Sequence, residues 1–179
     1  TSYTNYLIQI PFINGRPQDI ELGIKVKPME LKNSRLNWIL YAGVQFPVIP
    51  YPTETQNAIG QMARNLYAST MFQYQWESGW FSMLQAGHKL SLEPVPHALF
   101  GQVKTGKAGA KWYFDVGLQW QYSPGGKDYR GQGELAAENF RELGVSYIKG
   151  NYSIYRPFGK KGWGLSFSQW YTFAGRNTG

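Results

Sequence analysis

The stretch GHKLSLE, residues 87–93, carries His88, Ser91 and Glu93, the residue types of a hydrolytic triad. A serine nucleophile needs its imidazole within hydrogen-bond reach. In an extended chain successive side chains alternate between faces, so His88 and Ser91 point opposite ways. The second histidine, His97, lies nine residues beyond His88 in a Pro-flanked segment, which is not the spacing of a zinc site. The glycines of GKAGAK, residues 106–111, lack the spacing and the following Ser or Thr of a phosphate loop, and they read as a hairpin turn. No carboxylate pair stands out for acid–base work. With no cysteine in the chain, disulfides, thiolate catalysis and Cys-based zinc sites are excluded. We therefore expect no enzyme, no metal and no cofactor.

What remains is a set of polar residues at every second position. Glu21, Lys25, Lys27, Gln45, Gln73, Gln85, Lys89, Lys104, Asp115, Gln119, Gln121 and Lys149 all fall in the gaps of apolar runs. Five are lysines and two are acidic, so a narrow passage lined by them would favour anions. The alternative is that these groups pair with one another and fill the centre. A small barrel of about eight strands has an interior just filled by side chains.

The runs that must position these residues are strands. KWYFDVGLQWQYS, residues 111–123, places Trp112, Phe114, Val116, Leu118, Trp120 and Tyr122 on one face and Tyr113, Asp115, Gly117, Gln119 and Gln121 on the other. The same alternation recurs over 6–12, 20–28, 36–48, 66–76, 80–92, 97–105, 143–156 and 163–173, which makes nine runs in all. A phase slip near Tyr147 and Ile148 predicts a β-bulge. Many runs span nine to twelve residues. Globular strands average about five or six, whereas a tilted strand crossing a bilayer needs about nine to eleven.

The connections fit the same picture. KNS (32–34), ESG (77–79), KAG (107–109) and GKKG (159–162) are tight turns, while 47–64, 93–97 and 123–142 are longer and INGRPQD (13–19) is intermediate. Ile59, Met62 and Leu66, and likewise Ala136, Phe140 and Leu143, have helical spacing, enough for a turn or two of helix. Trp38, Trp76, Trp80, Trp112 and Trp163 lie within a few residues of tight turns. With Tyr6, Trp120, Tyr122 and Tyr171 expected in the opposite girdle, they suit the two aromatic girdles of a membrane protein.

Composition agrees. Charged residues make up only 16% and aromatics 17% of 179 residues, and no run of about 18 apolar residues offers a transmembrane helix. The net charge of +7 comes from scattered Lys and Arg, without a nucleic-acid motif, so we expect attraction to lipopolysaccharide or solutes and no nucleic acid. The chain opens TSYTNYLIQI without a Met, as a mature or trimmed form would.

Taken together, the hairpins at 66–92 and 143–173 and the loop alternation resemble a Gram-negative outer-membrane β-barrel protein. SFSQWYTFAGRN (166–177) is similar to the closing strands of channel-type barrels that pass small, often aromatic, compounds. The resemblance implies a single all-β domain over 1–179, an antiparallel up-and-down transmembrane barrel of about eight to ten strands, in the bacterial outer membrane. Two features depart from it: the end FAGRNTG lacks the usual final aromatic, and nine is an odd count where such barrels have an even one. Either a returning strand is missing, an irregular segment hides another strand, or two runs are miscounted; a trimmed chain, and so an incomplete barrel, would account for both features. The implied partners are the lipid bilayer, lipopolysaccharide and a small solute passed or bound in a slightly cationic lumen. Three alternatives stand beside this reading. One is a barrel that anchors the loops 47–64 and 123–142 for a protein partner. Another is a soluble lipocalin-like carrier, apolar inside. The last is a membrane hydrolase using His88 or Ser91.

Overall fold

The computed structural model describes residues 4–9, 12–13, 16–17, 19–28, 35–50, 53, 61–92, 94–128, 141–158 and 163–178. The alternating runs become eleven strands: β1 (Thr4–Gln9), β2 (Phe12–Ile13), β3 (Arg16–Pro17), β4 (Asp19–Val26), β5 (Leu36–Pro47), β6 (Asn65–Gln75), β7 (Trp80–Ser91), β8 (Ala98–Ala108), β9 (Tyr113–Tyr122), β10 (Ser146–Phe158) and β11 (Trp163–Arg176). Nine of them form one antiparallel up-and-down sheet in the order β1-β4-β5-β6-β7-β8-β9-β10-β11, and β2 pairs with β3 as a separate two-stranded ribbon. Every expected run is a strand. The first is shorter than expected, because Phe12 leaves it for the β2–β3 ribbon. The sixth is longer: Lys107 and Ala108 belong to β8, so the turn behind it spans 109–112.

The sheet is open. β1 and β11 are its two edges, and with an odd number of alternating strands they run in the same direction. Joining them directly would require a parallel pair. The sheet nevertheless curls. Gln61, ahead of β6, donates from Nε2 to the carbonyls of Arg141 (3.3 Å) and Leu143 (3.0 Å), and Arg141 Nε donates back to the Gln61 carbonyl at 3.2 Å. The segments so joined lead into β6 and β10, four strands apart, which a flat sheet would separate by about 19 Å. The fold is thus an incomplete, barrel-like sheet with an inner and an outer face.

Burial separates the two faces. Along β5 from Leu40 to Pro47 exposed residues alternate with half-buried ones, and the exposed set is Leu40, Ala42, Val44 and Phe46. Leu22 and Ile24 on β4, Leu66 and Phe72 on β6, Leu84 and Leu90 on β7, Leu99 and Val103 on β8, and Phe114, Val116 and Leu118 on β9 continue this exposed apolar face. The opposite phase holds the more sheltered residues, among them Gly23, Asn65, Ser69, Asp115 and Asn151. Among the described residues only Phe81, Val95 and Ala98 are buried apolar side chains. So the greasy side looks outward and the polar side inward. β11, an edge strand, is exposed on both sides from Trp163 to Gly175.

Local chemistry fixes the register. Between β6 and β7 the Trp76 N–H donates to the Trp80 carbonyl at 2.8 Å and the Gly79 N–H to the Trp76 carbonyl at 3.1 Å, and Gly79 at the corner of this turn has φ +83°. A Cβ at Gly79 would sit 2.5 Å from the Ala108 carbonyl oxygen, so only glycine fits. Elsewhere aromatic rings cover glycines on the neighbouring strand: Tyr41 over Gly23, Phe100 over Gly87 and Trp120 over Gly101. Each ring closes a hole in its face of the sheet. The expected bulge falls at Ile148 and Lys149, but the extra residue belongs to β11. Ile148 pairs with Ala174 and Lys149 with Thr172, which leaves Phe173 unpaired with its ring over Gly150. The phase slip in the sequence arose because Leu143 and Val145 precede β10.

The loop alternation holds from β5 onward. Connections 48–64, 92–97 and 123–145 lie at one end of the sheet, and 76–79, 109–112 and 159–162 at the other. The first two connections, 10–18 and 27–35, do not differ in length. KNS, GKKG, Ile59, Ala136 and Phe140 lie outside the described residues. Leu66, expected in a helical turn, belongs to β6 and faces outward.

Candidate functional site

The inner face gathers the polar residues that the alternation singled out. Cross-strand register places Glu21 and Lys25 (β4), Gln45 (β5), Gln73 (β6), Gln85 and Lys89 (β7), Lys104 (β8), Asp115, Gln119 and Gln121 (β9) and Lys149 (β10) on one face. Lys27 follows β4 and is half-buried. Gln85, Gln102 and Gln119 stand directly abreast across β7, β8 and β9. Their side chains are long, neutral and able both to donate and to accept.

Two hydrogen-bonded networks cross this face. Toward the long-connection end, Gln45 Nε2 donates to Asp19 Oδ2 at 3.3 Å, while Gln45 Oε1 accepts from Asn65 Nδ2 at 2.8 Å and from the Tyr67 hydroxyl. Ser91 Oγ donates to Asn65 Oδ1 at 2.7 Å, which ties β4 to β7. The Tyr41 hydroxyl donates to Glu21 next to this chain. Toward the short-connection end, Lys104 Nζ lies 3.3 Å from Asp115 Oδ1, and Asn151 Nδ2 donates to the same oxygen at 3.4 Å. Asp115 is 2% exposed, so its charge is held almost dry and needs that lysine.

These pairings redistribute the charge. Asp19, which the sequence reading did not include, also faces inward opposite Pro47. Lys104 is neutralised by Asp115. Lys25 lies 6.0 Å from the Tyr41 ring, and Lys149 lies 4.4 Å from the Tyr147 ring. Lys89, beside Tyr67 and Ala98, has no ion pair among the described residues. The excess positive charge of the inner wall therefore rests on Lys25, Lys89 and Lys149.

Asn65, Tyr67 and Asn151 share this face and were not singled out from sequence, beside Tyr41, read there on the polar phase without a role, Ser91, read only for a triad, and Tyr147, read on the apolar phase. The signal was present, since each occupies the polar phase of its strand. Their aromatic rings or small size disguised them.

His88 and Ser91 stand on opposite faces: His88 beside Ala68 and Leu99 outside, Ser91 beside Asn65 inside. The His97 ring lies 6.1 Å from that of His88, and its Nδ1 accepts the backbone N–H of Ser91 at 3.1 Å. Glu93 lies outside the described residues. No group of three or more metal-ligating side chains occurs among the described residues.

On the outer face, Trp38, Trp80 and Trp163 begin their strands at the short-connection end, and Trp76 and Trp112 sit in the connections there. Trp38 stacks on Phe72 at 6.2 Å, Tyr74 meets Trp76 edge-on at 4.7 Å, and Trp80 meets Phe114 edge-on at 5.5 Å. Trp120 and Tyr122 lie toward the other end. Tyr171, opposite Gly150, sits further in. Tyr6, expected at the long-connection end, stands opposite Ile24 instead, nearer the short-connection end.

No protein-family model, curated protein or solved structure matches this chain. The reading of function rests on the two faces alone.

Proposed function

We propose that the protein is an outer-membrane β-barrel whose polar, slightly cationic interior passes or binds small solutes. One observation carries the reading: large apolar side chains occupy the exposed face of strand after strand, and amides, hydroxyls and lysines occupy the sheltered one. In water such a continuous apolar face would be a severe aggregation liability. Against acyl chains it is the favourable arrangement, and the strands β4 to β10 have a ladder on each side to satisfy their backbone groups. A lipocalin-like carrier needs the reverse, with Trp38, Phe72, Phe114 and Phe167 converging inside. Phe72, Phe114 and Phe167 are 42%, 38% and 55% exposed, and Trp38 stacks beside Phe72 on the same outer face.

The cations of the inner wall give the passage its sign. Among the described residues Lys25, Lys89 and Lys149 have no ion pair and Asp115 is paired with Lys104, while Glu21, bonded by the neutral Tyr41 hydroxyl, and Asp19 keep their charges, so the positive excess is small. Purified protein in planar bilayers conducts, with a reversal potential biased toward anions. A silent bilayer would contradict passage.

A second reading draws on the two inner networks. Side chains that bond to one another across β4–β7 and β8–β10 leave less room for water. A filled barrel would then anchor the loops 47–64 and 123–142 for adhesion or partner binding. Deleting those loops separates the readings: conductance survives in a channel, and partner capture is lost in an anchor.

A further inference from the structure

The outer face is almost free of charge, and its exceptions are placed together. Along β4 to β10 only two described outward residues carry a charge, Lys107 on β8 and Arg156 on β10. Both lie near the short-connection ends of their strands, and the strand between them is β9. The acidic residues of the described strands, Asp19, Glu21 and Asp115, all face inward. Neither cation has an ion pair among the described residues. Each is set against aromatic rings instead. Lys107 Nζ lies 5.7 Å from the Trp80 ring, and the Arg156 guanidinium lies 4.8 Å from Trp112 and 5.8 Å from Phe158.

We propose that Lys107 and Arg156 together bind the phosphate groups of anionic phospholipids in the leaflet around the short-connection end. The inference rests on the membrane reading above and names a partner for its outer face. A charge on the lipid-facing side of a strand is costly at mid-bilayer and nearly free at the headgroups, so the depth of both residues is set by the Trp rings beside them. There the ring faces hold the cations and the cations keep their donors for an external oxyanion. Lys107 is level with Phe114 and Ile154, and Arg156 lies two residues further along β10, so their backbones are about 12 Å apart, a span that two long side chains can close around one headgroup or two neighbours. A zwitterionic lipid brings its own cation to the site, whereas an anionic lipid does not. With no carboxylate on the outer face of the described strands, the charge balance favours the anionic one. Each cation near an anionic surface is worth about a fivefold change in association.

The test uses the full chain in phosphatidylcholine vesicles containing trace spin-labelled phosphatidylglycerol or spin-labelled phosphatidylcholine. The motionally restricted fraction reports which lipid sits against the protein. Wild type prefers phosphatidylglycerol by about fivefold or more. K107Q/R156Q loses the preference, K107R/R156K keeps it, and K111Q, in the adjoining turn, leaves it unchanged. Equal restriction of both lipids by wild type would overturn the proposal, as would a preference that survives in K107Q/R156Q. Displacement by millimolar inorganic phosphate would also overturn it, since the site would then be one for free anions. Flotation with pure phosphatidylcholine vesicles reads insertion separately. A protein that fails to float refutes the membrane reading, and one that floats without lipid preference refutes only the headgroup site.

Discussion

Leu84 gives the account a sharp quantitative test. It is the fifth residue of β7, well inside the strand, on the outer face opposite Phe72 and Val103, and it is 51% exposed. If that face met water, Leu84→Arg would be an ordinary surface change, within about 0.5 kcal/mol of wild type. If it meets lipid near mid-bilayer, the arginine costs about 2–4 kcal/mol. The difference is about 30- to 1,000-fold in the folding equilibrium. Leu90, close to the long-connection end of the same strand, should cost only about 0–1 kcal/mol when changed to Arg, because its guanidinium reaches the headgroups. Gln85→Arg, on the inner face next door, controls for damage to the strand. Reversible unfolding from lipid vesicles, followed by tryptophan fluorescence, measures all three. The account requires the order L84R well below L90R and Q85R. Equal stability of L84R and wild type in vesicles would refute it.

Other consequences follow from single contacts. Asp115→Ala leaves the half-buried Lys104 without its counter-ion and should cost about 2 kcal/mol, whereas K104M/D115L, which removes both charges, should recover most of that in the same unfolding assay. Gly79→Ala must adopt φ near +83° and press on the Ala108 carbonyl, so it should lose at least about 1–2 kcal/mol of stability. Lys89→Glu with Lys149→Glu should move the reversal potential in a salt gradient from anion toward cation preference, with folding yield unchanged.

The two-residue period was legible because a half-sheltered strand must alternate, and this protein alternates over unusually long runs. All nine strands of the sheet were visible in that way, along with which residues share a face. The inner lysines and glutamines could therefore be named before any coordinates. Register could not. The glycine-covering rings of Tyr41, Phe100 and Trp120, and the bond from Ser91 to Asn65, depend on which residues stand opposite one another. That is decided by connection lengths across the whole sheet. β8 was traced too short because Thr105 and Lys107 are polar on an apolar phase. The same lysine, hidden inside a presumed turn, proved to be one of two charges on the outer face. The bulge was sensed at the right place and assigned to the wrong strand, since the slip came from residues ahead of β10 while the extra residue lies in β11. Phe12, which closes the expected first run, pairs locally with Pro17 in the β2–β3 ribbon.

The most direct measurement reads the two faces of one strand. The chain has no cysteine, so single cysteines can be placed and spin-labelled one at a time from residue 82 to 87 in vesicle-bound protein. The account predicts that labels at 82, 84 and 86 relax with oxygen dissolved in the acyl chains, and that labels at 83, 85 and 87 relax with a water-soluble nickel chelate or with neither reagent. Oxygen contact at the odd positions, or no alternation at all, would contradict it.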